Sequence, residues 1–414
     1  MFWEKLSGKL LEWGFTLNPY NSCVANKIVN GKQCTVGWHV DDAKISHIEP
    51  EVVDVIIGLM NDEFGKEAPL TISRGKIHDY LGMTFDFSED GVVSVDMIDY
   101  IQSVIAEMPD EMIGTAATPA ADHLFNVHEE PVLLDKIRSD LYHKIVMQLQ
   151  YLSQRARPDL RTAVSFMCKR VTKPDEDDWK KLTRAMRYLQ ATISLKLRLA
   201  ADGSGNIEWY IDASHAVHFD MKGHTGGTLT MGKGSIYSTA NGQKLVARSS
   251  TESELVAVYY DVLPQVVWTN HFLTAQGHVV NNIVYQDNKS SILLEKNGRA
   301  SSSKRTRHIN IRYFSVKDHV DRGTIRIEHC PTKEMIADYF TKPLQGVQFY
   351  KLRDHIMNID PSSPYHSGHR SVLENDHPDV TILKECVAIT KVPEAIANVT
   401  PNNRRSYRDV LVDN

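Results

Sequence analysis

The stretch Ile-Glu-Trp-Tyr-Ile-Asp at residues 207–212 decides how the C-terminal half of this chain is interpreted. Its apolar and β-branched residues predict a short strand that delivers Asp212 at its end. Glycine pairs at Gly226-Gly227 and around 232–234 separate the next short alternating runs, and such glycines are typical of hairpin turns. The segment therefore predicts three consecutive strands.

Helical periodicity begins where these strands end. Apolar residues recur at helical spacing from Ser250 to about Gln276, and Pro264 is expected to kink or interrupt that helix. The following elements are a strand at 282–286, helices at 288–297 and 309–321, a strand at 324–328 and a final helix carrying Asp338. This order predicts an α/β layout with a mixed sheet.

Four carboxylates lie where a strand ends or a helix begins: Asp212, Glu254, Asp287 and Asp338. Mg²⁺ prefers octahedral oxygen coordination and retains several waters, so a pair of ions needs a few carboxylates plus phosphate oxygens from a substrate. Two ions about 4 Å apart activate a water and stabilise the leaving oxygen of a phosphodiester. The acids are thus candidate ligands for two Mg²⁺ ions, with Mn²⁺ as a possible substitute.

Glu252 competes with Glu254 for this assignment. The two residues are separated by about 200° on a helix, so both cannot face one metal site, and the helical wheel does not decide between them. Glu254 also completes a capping-box pattern with Thr251, which is a purely structural use.

These motifs resemble, in family order, the ribonuclease H domain of copia-type LTR retrotransposons. The matching blocks are Asp212-Ala-Ser, Ser249-Ser-Thr-Glu-Ser-Glu-Leu-Val-Ala, Tyr285-Gln-Asp-Asn-Lys-Ser-Ser, Lys304-Arg-Thr-Arg-His-Ile-Asn-Ile-Arg-Tyr and Ala337-Asp-Tyr-Phe-Thr-Lys-Pro-Leu. The resemblance implies a five-stranded mixed sheet with flanking helices, and Mg²⁺-dependent cleavage of the RNA strand of RNA·DNA hybrids by the four acids. The family's pattern places the catalytic Glu before an apolar-x-Ala step, which favours Glu254 and leaves Glu252 as the alternative.

The N-terminal half carries an Asp-Asp pair at a predicted hairpin tip. Residues 33–40 alternate apolar and polar positions up to Asp41 and Asp42, after which the chain turns back as another strand. Such a pair in a turn is by itself typical of a solvated loop. Together with the downstream run from Asp79 to Phe85 it resembles the palm and primer-grip hairpins of copia-type reverse transcriptases, with His39 where Tyr is usual.

A polymerase of that type needs a third carboxylate from an earlier palm strand. The chain begins at Met1-Phe-Trp-Glu-Lys-Leu, which resembles the helix shortly before the Asp-Asp hairpin. We therefore expect a partial palm that is inactive unless another chain supplies the rest.

Residues 115–200 resemble the family's helical thumb and connecting region through Thr118-Pro-Ala-Ala, Ala156-Arg-Pro-Asp-Leu and the run that begins at Asp178-Trp-Lys-Lys. The chain is thus predicted to be an α/β and α+β multidomain protein. The expected segments are a partial palm (1–114), a thumb-like connection (115–200), a ribonuclease H domain (201–345), a C-terminal helix (346–360) and a mostly disordered tail (361–414), in which only 380–392 is apolar enough for a short element.

Composition agrees with this division. The chain has 414 residues, of which 42% are hydrophobic and 24% charged, and this leaves room for two or three domains. A net charge of −5 argues against a general nucleic-acid coat but permits local basic strips. The best strip holds the candidate nucleic-acid contacts Arg299, Lys304, Arg305, Arg307 and Arg312.

Five scattered cysteines without a Cys-x-x-Cys pair indicate neither a zinc site nor a disulfide framework. We expect a reducing intracellular compartment, cytoplasmic or nuclear, with a virus-like particle implied only by the family resemblance. No apolar run reaches the ~20 residues that a membrane span requires. The expected partners are RNA·DNA hybrid, template-primer and other Pol chains, without a membrane.

His329 lies nine residues before Asp338, where many ribonuclease H domains carry a mobile histidine that moves a proton or assists product release. The alternative is a strand-end histidine without a role.

Two rival functions follow from the same residues. A proofreading-type exonuclease would need Asp-x-Glu on the first strand, but Ser214 stands two residues after Asp212. A nucleic-acid-binding relic without catalysis is the other rival, and the presence of all four acids argues against it.

Overall fold

A computed structural model describes residues 2–66, 68–109, 113–298, 310–367 and 385–389 of the chain. The fold contains two compact units, one built from residues 1–81 with 383–414 and the other from 82–382. None of the helices in the described ranges combines the length and apolar character needed to cross a bilayer. The finer division into palm, thumb and ribonuclease H segments stays a prediction.

The first unit has helices around an antiparallel sheet. Its elements up to residue 81 are α1 (Phe2–Glu12), β1 (Thr16–Asn18), β2 (Asn21–Val29), β3 (Lys32–His39), β4 (Asp42–His47), α2 (Pro50–Phe64), β5 (Ile72–Ser73) and β6 (Ile77–Tyr80). Alternating residues of β3 and β4, including Val36 and Ile45, are buried in one apolar core with one face of α2. The expected Asp-Asp hairpin is confirmed, because His39 pairs with Asp42 across the turn.

The second unit contains the longer series of elements. They are β7 (Met83–Asp86), β8 (Val92–Asp96), α3 (Ile98–Ala106), α4 (Lys136–Arg155), α5 (Arg161–Cys168), α6 (Glu176–Ala191), β9 (Leu197–Ala201), β10 (Asn206–Ser214), β11 (His224–Thr230), β12 (Gly232–Lys233), β13 (Tyr237–Gly242), α7 (Ser250–Val256), α8 (Leu263–Ala275), β14 (Asn281–Gln286), α9 (Lys289–Asn297), α10 (Asn310–Asp321), β15 (Arg326–His329), α11 (Asp338–Thr341) and α12 (Gly346–Met357).

A last strand, β16 (Glu385–Ile389), belongs to the first unit. It pairs antiparallel with β4 and β5, so the sheet order is β1-β2-β3-β4-β16-β5. The strand falls within 380–392, the part of the tail with enough apolar residues for an element. The expectation of a disordered tail concerns residues that, apart from 361–367 and β16, lie outside the described ranges.

The second unit is organised by a five-stranded mixed sheet in the order β13-β11-β10-β14-β15. Strand β10 pairs antiparallel with β11, β11 antiparallel with β13, β10 parallel with β14, and β14 parallel with β15. The predicted mixed sheet is therefore confirmed. A smaller sheet contains β7, β8, β9 and β12 in that spatial order.

Strand β10 is buried along nearly its whole length. Ile207, Trp209, Ile211 and Ala213 point into one apolar core, whereas the alternate positions, including Asp212, face the other side of the sheet. The paired Tyr210 and Tyr285 rings stack on that second side, with centroids 4.8 Å apart. A strand covered on both faces explains why residues 207–212 are so rich in apolar side chains.

The glycine pair in β11 corrects one expectation. Gly226 and Gly227 lie in the middle of β11, opposite Asp212 and Ile211, and not in a hairpin turn. A Cβ atom on Gly226 would lie 2.6 Å from the Thr341 Cγ2 atom and 2.7 Å from the Ala337 carbonyl oxygen. Glycine is required there because α11 packs directly on the strand backbone.

The expected interruption at Pro264 is confirmed. The helix that starts at Ser250 changes to a π-helical turn over Ala257–Val262 and resumes as α8, with Pro264 in its first turn. Proline lacks an N–H donor and therefore fits the first turn of a new helical segment.

The connecting helices of the second unit are tied to α11 through a buried ion pair. The Arg157 guanidinium donates to both carboxylate oxygens of Asp159 at 2.9 and 2.8 Å, and the Tyr188 hydroxyl donates to Asp159 Oδ2. The Tyr339 hydroxyl donates to the Asp159 carbonyl at 3.1 Å, and Thr162 donates to the Tyr339 carbonyl. These contacts fix where α11 lies against the mixed sheet.

Candidate metal centre

Three of the four predicted carboxylates converge at one edge of the mixed sheet. Asp212, Glu254 and Asp287 each offer an oxygen within 4.8 Å of the others. Asp212 comes from β10, and Asp287 follows β14, the parallel partner in which Tyr285 pairs with Tyr210. Parallel strands end at the same edge of a sheet, so the two aspartates lie side by side, and α7 brings Glu254 to them.

Glu254 is a buried acid whose surroundings disfavour its charged form. It is 4% exposed, and its Oε2 atom has no hydrogen-bond partner in the described ranges. Burial, followed by the charges of Asp212 and Asp287, raises the pKa of Glu254 well above its ordinary value. An orphaned buried oxygen beside two other carboxylates fits a divalent cation, since a cation would satisfy the oxygen and offset the repulsion.

The structure separates Glu254 from Glu252. Glu252 Oε2 accepts from the Arg248 backbone N–H at 2.8 Å, and its own N–H donates to Ser249 Oγ at 3.2 Å. Ser249 is the residue that caps α7. The alternative use of Glu254, in a capping box with Thr251, is therefore wrong, and the glutamate that takes part in capping is Glu252.

Asp338, the first residue of α11, lies within hydrogen-bonding distance of the Asp212 carboxyl group. It is 6% exposed, and burial followed by the Asp212 charge raises the pKa of Asp338 to about 7, against the opposing effect of Lys342. Asp338 does not belong to the group of three whose oxygens are all within 4.8 Å of one another. Asp212 is thus shared between two overlapping sets, one with Glu254 and Asp287 and one with Asp338.

Two threonines orient the aspartates. Thr332 Oγ1 donates to Asp287 Oδ2 at 2.8 Å, and Thr341 Oγ1 donates to Asp212 Oδ2 at 2.5 Å. The Lys342 ammonium lies 2.5 Å from Asp338 Oδ1 and 3.6 Å from Asp212 Oδ2. Sequence reasoning missed all three residues, although the i to i+4 spacing of Asp338 and Lys342 is a recognisable pairing signal.

Glu295 on α9 is a further acid that the sequence did not reveal. Its side chain is fully buried and accepts from Ser291 Oγ at 3.3 Å. Burial raises the pKa of Glu295 to about 8, so it is neutral in much of the physiological range. Its neutral form avoids adding a further negative charge behind Glu254, whose pKa it would otherwise raise.

His329 lies at the exposed end of β15, where it is in register with Gln286, the residue before Asp287. Its ring forms no hydrogen bond or ion pair with another described residue. The proton-transfer role stays a prediction.

The other predicted site residues are only partly described. Asp41 and Asp42 are half-buried at the β3–β4 turn, and the described chain brings no third metal-ligating side chain to them. Arg299, Lys304, Arg305 and Arg307 lie outside the described residues, and Arg312 is in α10 with its side chain undescribed.

The strand order and mixed pairing define a ribonuclease H-like fold for the second unit. A solved ribonuclease H1 isolated from compost is similar, with 11% identity and a TM-score of 0.24 over 33% of this chain and 92% of that one. A foamy viral protease-reverse transcriptase solved with an RNA/DNA hybrid has 10% identity and a TM-score of 0.44 over 72% of this chain and 36% of that one. Because both scores are below 0.5, the fold assignment rests on the sheet itself.

The sequence relatives are Pol polyproteins of transposons. The chain is 31% identical over 226 residues to the retrovirus-related Pol polyprotein from transposon RE2 of Arabidopsis thaliana, covering 53% of this chain and 15% of that protein. It is 30% identical over 260 residues to the corresponding polyprotein from transposon TNT 1-94 of Nicotiana tabacum, covering 60% of this chain and 19% of that protein. No protein-family model matches. The chain is similar to retrovirus-related Pol polyproteins of transposons, and it spans less than a fifth of the length of these two relatives.

Proposed function

We propose that the second unit hydrolyses the RNA strand of RNA·DNA hybrids and depends on divalent cations. The observation that carries the proposal is the buried convergence of Asp212, Glu254 and Asp287, with one glutamate oxygen left without a partner. Carboxylate oxygens are hard ligands, which favours Mg²⁺, with Mn²⁺ as a substitute. The specificity for a hybrid is taken from the family resemblance.

The residues at this edge of the mixed sheet would have different roles. Asp212, Glu254 and Asp287 would hold one cation, and Asp212 with Asp338 would hold a second. When bound, such cations supply the Lewis acidity that phosphodiester hydrolysis by water requires. Thr341 and Thr332 hold Asp212 and Asp287 in fixed orientations through their hydrogen bonds, so little reorganisation of these ligands is needed.

The test replaces single ligands by their neutral isosteres. Asp212→Asn and Asp287→Asn should each abolish cleavage of a labelled RNA·DNA duplex in Mg²⁺ while the fold, followed by circular dichroism, is retained. Asp318→Asn is the matched control, because Asp318 is half exposed on α10 and pairs only with Arg322 among the ion pairs of the described residues. Wild-type cleavage by either site variant would refute the assignment.

A nucleic-acid-binding relic without catalysis is the competing function. It predicts that the wild-type chain binds the hybrid but never cleaves it, at any concentration of Mg²⁺ or Mn²⁺. The unpartnered and buried Glu254 oxygen supports the catalytic proposal, because a relic has no reason to retain a repulsive carboxylate in the interior.

A further inference from the structure

One cation of the chain lies inside the carboxylate cluster. The Lys342 ammonium contacts Asp338 Oδ1 at 2.5 Å and lies 3.6 Å from Asp212 Oδ2, so it lies against both carboxylates. Among the ion pairs of the described residues, Asp212 and Asp338 have no other cationic partner, and Glu254 and Asp287 have none. Among the described residues, Lys342 is therefore the cationic partner of this set of acids.

The position of Lys342 is set by the end of α11. Its backbone N–H donates to the Asp338 carbonyl at 3.1 Å, and its own backbone is already extended, so the main chain is fixed while the side chain leaves the helix. The side chain is 42% exposed. A lysine with one end anchored and its tip close to solvent can move its ammonium away without disturbing the helix.

The ammonium lies between two buried carboxylates. At 2.5 Å from Asp338 Oδ1 and 3.6 Å from Asp212 Oδ2, its positive charge offsets the repulsion between the two acids. The same two carboxylates would be the ligands of the second cation in the proposed function. The Lys342 ammonium therefore contacts the same two carboxylates that would have to bind the second divalent cation.

We propose that Lys342 is an internal counter-ion that stabilises the metal-free site and competes with a divalent cation for Asp212 and Asp338. The inference rests on the proposed function only for the identity of the competing ion. It makes binding at the Asp212 and Asp338 side weaker than at the Asp212, Glu254 and Asp287 side. Activity would then follow the divalent cation concentration through displacement of Lys342 from the two carboxylates.

The experiment uses the full chain without nucleic acid, so that catalysis is not part of the readout. Lys342→Met removes the charge but keeps an unbranched chain, and Lys342→Arg keeps the charge. Lys317→Met is the matched control, because Lys317 forms an i to i+4 pair with Asp321 on α10. Melting temperature is measured in EDTA and then against MgCl₂ concentration, and Mg²⁺ binding is measured by calorimetry.

For Lys342→Met, we expect a lower melting temperature in EDTA and an apparent Mg²⁺ dissociation constant about 3- to 5-fold smaller than in the wild type, the size expected for one half-exposed ion pair. Lys342→Arg and Lys317→Met should bind Mg²⁺ as the wild type does. If Lys342→Met does not fold in EDTA, the double variant Asp338→Asn/Lys342→Met should restore folding, because both charges of the pair are then removed.

Unchanged or weaker Mg²⁺ binding by Lys342→Met, with unchanged melting in EDTA, would overturn the counter-ion proposal. Failure of the double variant to restore folding would overturn it as well. In a separate titration with labelled hybrid in EDTA, weaker hybrid binding by Lys342→Met together with unchanged Mg²⁺ affinity would assign Lys342 to substrate binding and overturn the counter-ion proposal. A wild-type chain that never cleaves hybrid but shows the expected Mg²⁺ titrations would remove the proposed function and leave the counter-ion in place.

Discussion

The replacement of Gly226 by alanine tests how α11 and the metal centre are coupled. An alanine Cβ atom would lie 2.6 Å from Thr341 Cγ2, 2.7 Å from the Ala337 oxygen and 2.9 Å from Phe340 Cβ. The first contact is about 0.8 Å shorter than the 3.4 Å at which ordinary van der Waals contact begins. One of these contacts is with the Ala337 backbone oxygen, which no change of side-chain rotamer can move. Either α11 or β11 must therefore shift.

The expected effects follow from what α11 carries. Overpacking of this kind costs about 1–3 kcal/mol, which lowers the melting temperature by roughly 1–2 °C for each kcal/mol in a unit of this size. The same shift displaces Asp338 and the Thr341 hydroxyl that holds Asp212. A displacement near 1 Å at a catalytic constellation costs about 100-fold in rate. Gly226→Ala should therefore lose far more activity than its stability loss explains.

Gly227→Ala provides the matched control. Its Cβ atom would face the opposite side of the sheet, 3.1 Å from the methyl groups of Thr239 and Val262, and would not touch α11. Thermal melting and hybrid cleavage well below the melting temperature are measured for both variants. Equal losses of activity in the two variants, or a fully active Gly226→Ala, would refute the coupling of α11 to the site.

Three further predictions follow from the described groups. Because the folded-state pKa of Asp338, about 7, is above its ordinary 3.8, the folded protein binds the proton more tightly than the unfolded chain does. The contribution of Asp338 to the metal-free stability should be lost as pH rises from about 4 to about 7; melting of the wild type and of Asp338→Asn in EDTA is compared across this range, and the variant should show a smaller fall than the wild type. If His329 transfers a proton, His329→Ala should lower cleavage by about 10- to 100-fold without weakening hybrid binding, whereas unchanged turnover and an unchanged pH–rate profile would leave it without a role. Replacing both Asp41 and Asp42 by Asn should not alter hybrid cleavage, and the unmodified chain should not extend a primer on poly(rA)·oligo(dT), because the described residues bring no third ligand to these two aspartates; primer extension would contradict this prediction.

The sequence predicted most of the order of elements around the site. Strand β10, the helix interrupted at Pro264 and the short strand before Asp287 each follow from local periodicity and from the missing N–H of proline. These signals extend over only a few residues, so they can be recognised without knowing which other element packs against the segment. The sequence therefore identifies the acids at the ends of those elements, but it does not give the distances between their carboxylates.

Tertiary contacts decided what local patterns could not. The pair Gly226-Gly227 has the composition of a turn, yet Gly226 is required by α11, which lies more than a hundred residues further along the chain. A helical wheel could not choose between Glu252 and Glu254; in the structure Glu254 lies with Asp212 and Asp287, whereas Glu252 is hydrogen-bonded to Arg248 and Ser249 at the start of α7. Likewise, the counter-ion contact of Lys342 with Asp212 exists only because β10 and α11 are packed together. Close approach and charge compensation are properties of packed elements, so they become definite only in the folded chain.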